Sequence, residues 1–116
     1  MKRIGLVFLA IVLALGVAGC SKGDKDADPV GTWVVTGDAG CNGSKGSWVS
    51  HIYDNGTFID SDGARGTWTV KKNDITLNYS NILAIFSGVM SGDSITGTFS
   101  GTSSGCWSAV RKSPTP

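Results

Sequence analysis

The sequence predicts an all-β domain, an eight-stranded antiparallel up-and-down barrel, within a chain of 116 residues. Good helix formers are scarce, because the chain has no Glu and no Gln, and 17 of its residues are glycine. Short runs rich in Thr, Val, Ile and aromatic residues alternate between apolar and polar positions, which is typical of half-buried strands. Turn residues separate these runs at intervals of about ten residues, a spacing typical of a sandwich or barrel.

The connections are short, which favours a meander in which each strand pairs with the next. The predicted strands are 31–36, 47–53, 57–60, 66–71, 75–80, 83–89, 95–99 and 106–111. Asp54-Asn55-Gly56 is the clearest hairpin turn. Alternation points Trp33, Phe58 and Trp68 inward, and favours Trp48 and Ile52 in a second strand whose inner face is ambiguous. Residues 82–90 are apolar on both faces, so that strand is either covered on its outside or marks a contact surface.

The first 20 residues have the pattern of a secretory signal. Lys2 and Arg3 precede an apolar run from Ile4 to Leu15, and small residues lead to Cys20. The run is too short to span a bilayer, which takes about 20 apolar residues. Residues 17–20 (Val-Ala-Gly-Cys) resemble the lipobox of bacterial lipoproteins.

That resemblance implies that the chain is cut just before Cys20, which then becomes the first residue. It also implies that Cys20 is acylated, with palmitate among the acyl chains, and these chains would anchor the protein in a membrane. The alternative is a cleaved signal without a lipid. Ser21 stands where enterobacterial inner-membrane lipoproteins tend to carry Asp, and therefore favours the outer membrane. The expected organisation is a helical signal peptide at 1–19, the lipidated cysteine and a flexible tether at 20–29, the barrel at 30–112 and a disordered tail at 113–116.

Two cysteines remain for the barrel, Cys41 after the first strand and Cys106 at the start of the last. An open meander would leave two edge strands, and pairing the first strand with the last removes both. Closure would also bring these two cysteines together, and an oxidising compartment would join them in a disulfide. The alternative is a pair of free thiols. Strict alternation places Cys106 on the face opposite Trp107, so Cys41 needs an irregular approach through the glycine-containing segment 37–40.

Gly31-Thr32-Trp33 opens the first strand and Arg111 ends the last. This pair resembles the calycin pattern of lipocalins, fatty-acid-binding proteins and avidins, in which a G-x-W tryptophan lies under a basic side chain from the closing strand. The resemblance covers residues 30–112 and is closest to small lipocalin-like domains of bacterial lipoproteins. It implies that Arg111 stacks on Trp33. The strands are shorter than in true lipocalins and no helix follows them, which argues against a roomy ligand cavity.

An eight-stranded barrel is only just wide enough to be filled by side chains or to hold one small ligand. The aromatic candidates for its lumen are Trp48, Trp68, Trp107, Phe58 and Phe99. They form either a core or a pocket that stacks a flat ligand. The loops at the end away from the tether carry a candidate binding rim of Asp38, Asn42, Lys45, Asp62, Arg65 and Ser103, unless these are ordinary solvated loops.

No catalytic, cofactor or metal site is expected. His51 is the single histidine and has no partners at catalytic or metal-ligand spacing. Without Lys2 and Arg3 the chain is nearly neutral and has no basic stripe, which argues against nucleic acid as a partner. The leading hypothesis is a non-enzymatic binding module of the bacterial cell envelope, holding a small apolar or aromatic ligand or a protein. The alternatives are an inhibitor or accessory subunit of an envelope enzyme and, third, a hydrolase that uses His51.

Overall fold

The computed structural model describes residues 25–116, which form a closed antiparallel barrel of eight strands and confirm the predicted fold class. The strands are β1 (Gly31–Ala39), β2 (Lys45–Ile52), β3 (Thr57–Asp60), β4 (Arg65–Lys71), β5 (Asp74–Tyr79), β6 (Ala84–Ser91), β7 (Ser94–Gly101) and β8 (Gly105–Ser113). Each strand pairs with the next, and β8 pairs with β1. The expected signal peptide, Cys20 and tether residues 21–24 lie outside the described residues.

Closure depends on the antiparallel pairing of β1 with β8. Trp33 lies opposite Arg111 and Ala39 opposite Gly105, and the register shifts once, between Thr32 and Trp33. This pairing lengthens both strands beyond their predicted ends, because each supplies the main-chain partners of the other. β8 therefore includes Ser113, which was predicted to begin the disordered tail.

The segments before β1 and after β8 are both held at one end of the barrel. This is the end at which the chain enters β1, here called the entry end. Thr32 Oγ1 donates to the carbonyl of Thr115 at 2.7 Å. The amide of Ala27 donates to the carbonyl of Lys72, and the amide of Lys72 donates to Asp26 Oδ1, both at 2.7 Å. The predicted flexible tether extends to Pro29, but residues 26–29 lie against the barrel, because the turn at Lys72 presents main-chain groups that pair with them.

Aromatic rings fill the middle of the barrel. Phe86 of β6 contacts four other rings: it stacks on Phe99 at 4.8 Å and meets Trp48, Tyr79 and Trp107 at 6.0, 5.4 and 5.5 Å between ring centroids. Seven strands, all but β4, contribute buried apolar side chains to this core. Trp68 and Val70 of β4 are partly buried and pack against it. The lumen is a packed core in its central part.

Glycines provide the space for these rings. Gly66 lies between Phe58 and Tyr79 in the strand pairing, and these two rings meet edge to face at 4.8 Å across β4. A Cβ atom on Gly66 would lie 1.9 Å from the carbonyl oxygen of Asn78. A Cβ on Gly88 would lie 2.9 Å from the Trp107 indole, so a glycine is needed beneath that ring as well.

Candidate functional site

The entry end is closed by Arg111, which stacks on Trp33. The guanidinium carbon lies 4.7 Å from the centroid of the indole, in the geometry of a cation–π contact. Arg111 also donates from Nη1 to the carbonyls of Asp28 and Val30, at 2.8 and 2.9 Å, and forms a 2.9 Å ion pair with Asp93. Trp33 is fully buried and donates from Nε1 to the Pro29 carbonyl at 2.8 Å. The predicted contact between Trp33 and Arg111 is therefore present, and its hydrogen bonds bind the incoming chain.

The opposite end, here called the far end, is held by the predicted disulfide. Cys41 and Cys106 are bonded, with their Cα atoms 5.2 Å apart and 65 residues between them in sequence. Cys106 pairs with Asp38 on the outer face of β8, while its neighbour Trp107 points into the core. Cys41 reaches it with a positive φ of 55°, the irregular approach that alternation requires.

The five candidate lumen residues all lie in or against the core. Phe58 and Trp107 are buried, and Trp48, Trp68 and Phe99 are partly buried and packed against the core cluster. The inner face of β2 is formed by Trp48, Ser50 and Ile52. The sequence left the inner face of this strand ambiguous, and the favoured assignment of Trp48 and Ile52 is the one observed. At the far end the packing leaves a small cleft.

This far-end cleft has a volume of about 120 Å³ and lies between β2, β3, β5 and β6. Its lining is Trp48, Asp60, Asp62, Ala64, Tyr79, Ile82 and Phe86. It combines aromatic rings with two carboxyl groups, of which Asp60 is buried, with 4% of its surface exposed, and Asp62 is exposed. The cleft contains Trp48 of the predicted lumen and Asp62 of the predicted rim.

The polar atoms around this cleft are weakly paired. Within residues 25–116, Trp48 Nε1, Ser50 Oγ and Asp60 Oδ1 are buried and make no hydrogen bond of good geometry. Ser50 still interacts with Asp60, and Trp48 with Tyr79, in the direction that lowers the pKa of Asp60 and of Tyr79. The other three tryptophans each donate to a main-chain carbonyl, that of Pro29 for Trp33, Tyr53 for Trp68, and Ser87 and Thr98 for Trp107. Buried polar groups are almost always paired, so the weak pairing of these three atoms distinguishes this cleft from the rest of the described core.

Asp60 and Tyr79 form the polar centre of the cleft. The Tyr79 hydroxyl donates to Asp60 Oδ2 at 2.5 Å, which orients the carboxyl group, and Ser50 lies directly opposite Asp60 on the neighbouring strand. Burial raises the pKa of Asp60 above its usual value of 3.8, and the hydrogen bond from Tyr79 opposes this rise. Burial and the bond to Asp60 also raise the pKa of Tyr79, so its hydroxyl keeps its proton and remains the donor.

The six predicted rim residues lie at the far end but do not form one cluster. The Asp38 carboxylate accepts hydrogen bonds from the amides of Asn42 and Gly43 at 3.1 Å, in the loop between β1 and β2. Asp38 also lies opposite Lys45 in the pairing of these two strands. Asp62 lines the cleft, whereas Arg65 lines a concavity on the outer face of β3 and β4. Ser103 is exposed in the turn before β8.

Sequence reasoning did not select Asp60, Ser50 or Tyr79 as site residues. The signal was present, because inward positions recur every second residue. Since Phe58 faces inward, Asp60 must do so too, and a carboxylate at an inward position is unusual. Asp60 is the last residue of the predicted strand 57–60, and no role in the site was predicted for it.

His51 lies on the outer face of β2. Its Nδ1 is 3.3 Å from Thr32 Oγ1 on the neighbouring strand, as for an ordinary cross-strand pair. Among residues 25–116, no three His, Cys, Asp or Glu side chains are close enough to form a metal site. That part of the chain also contains no helix with the length and apolar character needed to cross a bilayer.

The strand predicted to be apolar on both faces is β6. Phe86 and Met90 are buried, whereas Ile85 and Val89 are 47% and 53% exposed on the outside. Leu83, in the loop before β6, is 74% exposed at the far end. Within residues 25–116 this outer face is left open to solvent.

Comparisons with known proteins assign no relative. No protein-family model, no curated protein and no solved structure matches this chain. Its function must therefore be argued from the barrel and its far-end cleft.

Proposed function

We propose that this protein is a lipid-anchored, non-enzymatic binding module of the bacterial cell envelope, which meets its partner at the far end of the barrel. The proposed anchor is the acylated Cys20, and the proposed location is the outer membrane. A lipid on Cys20 would hold the entry end towards the membrane, because the chain enters the barrel there. The Cys41–Cys106 disulfide is consistent with an oxidising compartment outside the cytoplasm.

The observation that supports binding at the far end is the cleft itself, a recess in which aromatic rings surround a buried carboxyl group. Within residues 25–116, Trp48 Nε1 and Asp60 Oδ1 make no hydrogen bond of good geometry, so the polar contacts in this recess are weak. A partner that offers better hydrogen bonds there would be stabilised. The cleft also faces away from the proposed anchor.

The filled core favours binding at the mouth of the barrel over enclosure of an apolar ligand. Pockets for drug-sized molecules have volumes of about 300–1,000 Å³, whereas the far-end cleft measures about 120 Å³. A small polar group can enter it. The rest of a ligand or a protein partner would then lie on the surrounding loops.

A second candidate is an inhibitor or accessory subunit of an envelope enzyme or complex. Leu83 and Ile82, which are 74% and 51% exposed, adjoin the same cleft. Apolar side chains around a polar recess suit a protein interface.

The contact between Trp33 and Arg111 supports a calycin-type relationship with small lipocalin-like domains of bacterial lipoproteins.

Anchoring is tested by growing cells that make the protein with labelled palmitate. The wild-type chain should take up the label and sediment with membranes, and Cys20→Ser should do neither. Label on the Cys20→Ser chain would contradict the proposed anchor.

Binding at the far end is tested by photocrosslinking in the native envelope. A photoreactive residue at Leu83 should give a defined adduct, and one at Asp54, exposed in a turn of the entry end, should not. Equal adducts from both positions, or none from Leu83, would contradict binding at the far end.

A further inference from the structure

Charge is distributed unevenly around the barrel. Residues 25–74 include twelve charged residues, whereas Asp93 is the only charged residue between positions 75 and 110. That second stretch forms β6, β7 and most of β5 and β8. Asp93 lies in the turn between β6 and β7, at the entry end, and is paired with Arg111. The outer surface of four of the eight strands is therefore uncharged between the two ends of the barrel.

The outward side chains of β6, β7 and β8 between positions 85 and 110 are here called the neutral wall. Its aliphatic members are Ile85, Val89 and Val110, which are 47%, 53% and 53% exposed. Covering such a surface immobilises no long charged side chain and removes no charge from water. The other exposed members are short and polar, namely Ser87, Ser94, Thr96, Thr98, Ser100 and Ser108.

A shallow recess lies in the middle of the neutral wall. Its volume is about 300 Å³, and its lining includes Thr76, Ser87 and Thr98, with Val89 and Asp74 on the side of the entry end. Thr76 lies opposite Ser87, and Ser87 opposite Thr98, so the recess crosses β5, β6 and β7. A barrel is convex, and a recess of short side chains lets a partner surface approach it closely at this place.

We propose that the neutral wall binds the neutral wall of a second copy of this chain, in a side-by-side pair on the membrane. This inference goes beyond the proposed function, which concerns the far end, and takes from it only the lipid anchor. Because the barrel is closed, two copies would meet through the outer faces of their strands and not through strand edges.

Charge complementarity favours a second copy over a charged partner. A charged surface placed on the neutral wall would lose water without gaining an opposite charge. A twofold pair brings each surface against itself, so like charges would meet, and an uncharged wall avoids that repulsion. Two anchored copies would both be held at their entry ends, and would therefore present the same wall at the same height above the membrane.

The neutral wall is poorly suited to lie on the lipid surface itself. Segments that lie in the membrane interface combine apolar side chains with Lys, Arg or Trp. Residues 75–110 contain no Lys and no Arg, and their single tryptophan, Trp107, is buried in the core. A second copy therefore fits this surface better than a bilayer does.

The size of the neutral wall predicts a weak contact that the membrane strengthens. A standard protein interface uses about 20–30 residues on each side, and the nine exposed residues named above are fewer than half of that. Anchoring in one membrane confines the copies and raises their effective concentration. The pair must therefore be sought with the anchored protein in its own membrane.

The test is photocrosslinking between two differently tagged copies in the native membrane. A photoreactive residue at Ser87, in the middle of the neutral wall, should give an adduct that carries both tags. Ser47 is the matched control position, because it is exposed on β2, on the opposite side of the barrel. A photoreactive residue at Ser47 should give no such adduct above the background of random collisions.

Two charged variants examine whether like walls meet. Thr98 lies between Ser87 and Cys106 in the strand pairing, so a new charge there has no charged neighbour on the adjoining strands. Thr98→Lys in both copies should reduce the Ser87 adduct about tenfold, because like charges would then face each other. Mixing Thr98→Lys with Thr98→Asp copies should restore the adduct, which requires that both variants fold. Ser47→Lys is the matched control and should leave the adduct unchanged.

The proposal is overturned if Ser87 gives no adduct, or an adduct with lipid or with a different protein. It is also overturned if Ser47 gives as much double-tagged adduct as Ser87, or if Thr98→Lys leaves the adduct unchanged. A Leu83 crosslink to a partner without paired copies would reject the pair and leave the proposed function standing. Paired copies without a Leu83 crosslink would reject binding at the far end instead.

Discussion

Asp60 of β3 and Tyr79 of β5 share a 2.5 Å hydrogen bond inside the barrel, although β4 lies between their strands. The bond is possible because the β4 residue opposite Tyr79 is Gly66, which has no side chain to separate the two strands. It also fixes which oxygen of Asp60 faces the cleft. One glycine on an intervening strand therefore shapes the candidate site.

The buried Asp60 should make stability depend on pH. Its pKa in the folded protein is raised above the usual 3.8, so the folded chain retains this proton to a higher pH than the unfolded chain. The free energy of unfolding therefore contains a contribution that is present below pH 3.8 and is lost as the pH rises through the raised pKa. Asp60→Asn should remove this dependence, and its stability relative to the wild type should increase with pH.

Urea unfolding of both proteins across this pH range measures the effect. Asp54→Asn, which changes an exposed carboxyl group in a turn at the entry end, is the control for a general loss of charge. A difference between Asp60→Asn and the wild type that does not vary with pH would contradict the assignment.

Gly66→Ala should destabilise the barrel, because the added methyl group would overlap the carbonyl of Asn78. Overpacked cores lose about 1–3 kcal/mol, and we expect a loss at the upper end of that range. Gly46→Ala is the matched control, since a Cβ there has no atom within 4 Å. Thermal unfolding followed by Trp fluorescence compares the two, and equal melting temperatures would show that β4 and β5 can separate without cost.

Removing the disulfide should lower the free energy of unfolding by roughly 4 kcal/mol, the loop-entropy value for cysteines 65 residues apart. The Cys41→Ser/Cys106→Ser variant should therefore unfold at lower urea concentration. A reducing agent should destabilise the wild type to the same degree and leave the double variant unchanged. If the reductant has no effect on the wild type, the bond does not contribute in solution.

Arg111→Ala should destabilise the entry end by about 2 kcal/mol, since it removes charged hydrogen bonds and the contact with an indole. The hydrogen bonds to Asp28 and Val30 would be lost, and residues 26–28 should exchange their amide protons faster. Arg111→Lys should recover only part of the stability, because an ammonium group lacks the planar, forked geometry of a guanidinium group.

Lys112→Ala, at the exposed neighbouring position, should behave like the wild type. Hydrogen exchange and urea unfolding measure both effects, and unchanged exchange at Ala27 would contradict this role.

Most of the fold could be read from the sequence, because strand alternation and turn chemistry are local properties. The eight strands, the inward set that includes Trp33 and Phe58, and the closure marked by Cys41 and Cys106 follow from spacing alone. The strand ends could not be read, because their length depends on the partner strand. The docking of residues 26–29 could not be read either, since the groups that receive them lie on β8 and in the turn at Lys72.

The far-end cleft was decided by the tertiary structure. Trp48 and Asp60 come from the paired strands β2 and β3, and Tyr79 of β5 reaches them because Gly66 of the intervening strand has no side chain. Whether a buried N–H or carboxyl oxygen finds a partner depends on distances of a few tenths of an ångström, which alternation does not encode. The sequence by itself determined which side chains face inward, and the packing of rings against Gly66, Gly88 and their neighbours determined how well the polar groups among them are paired.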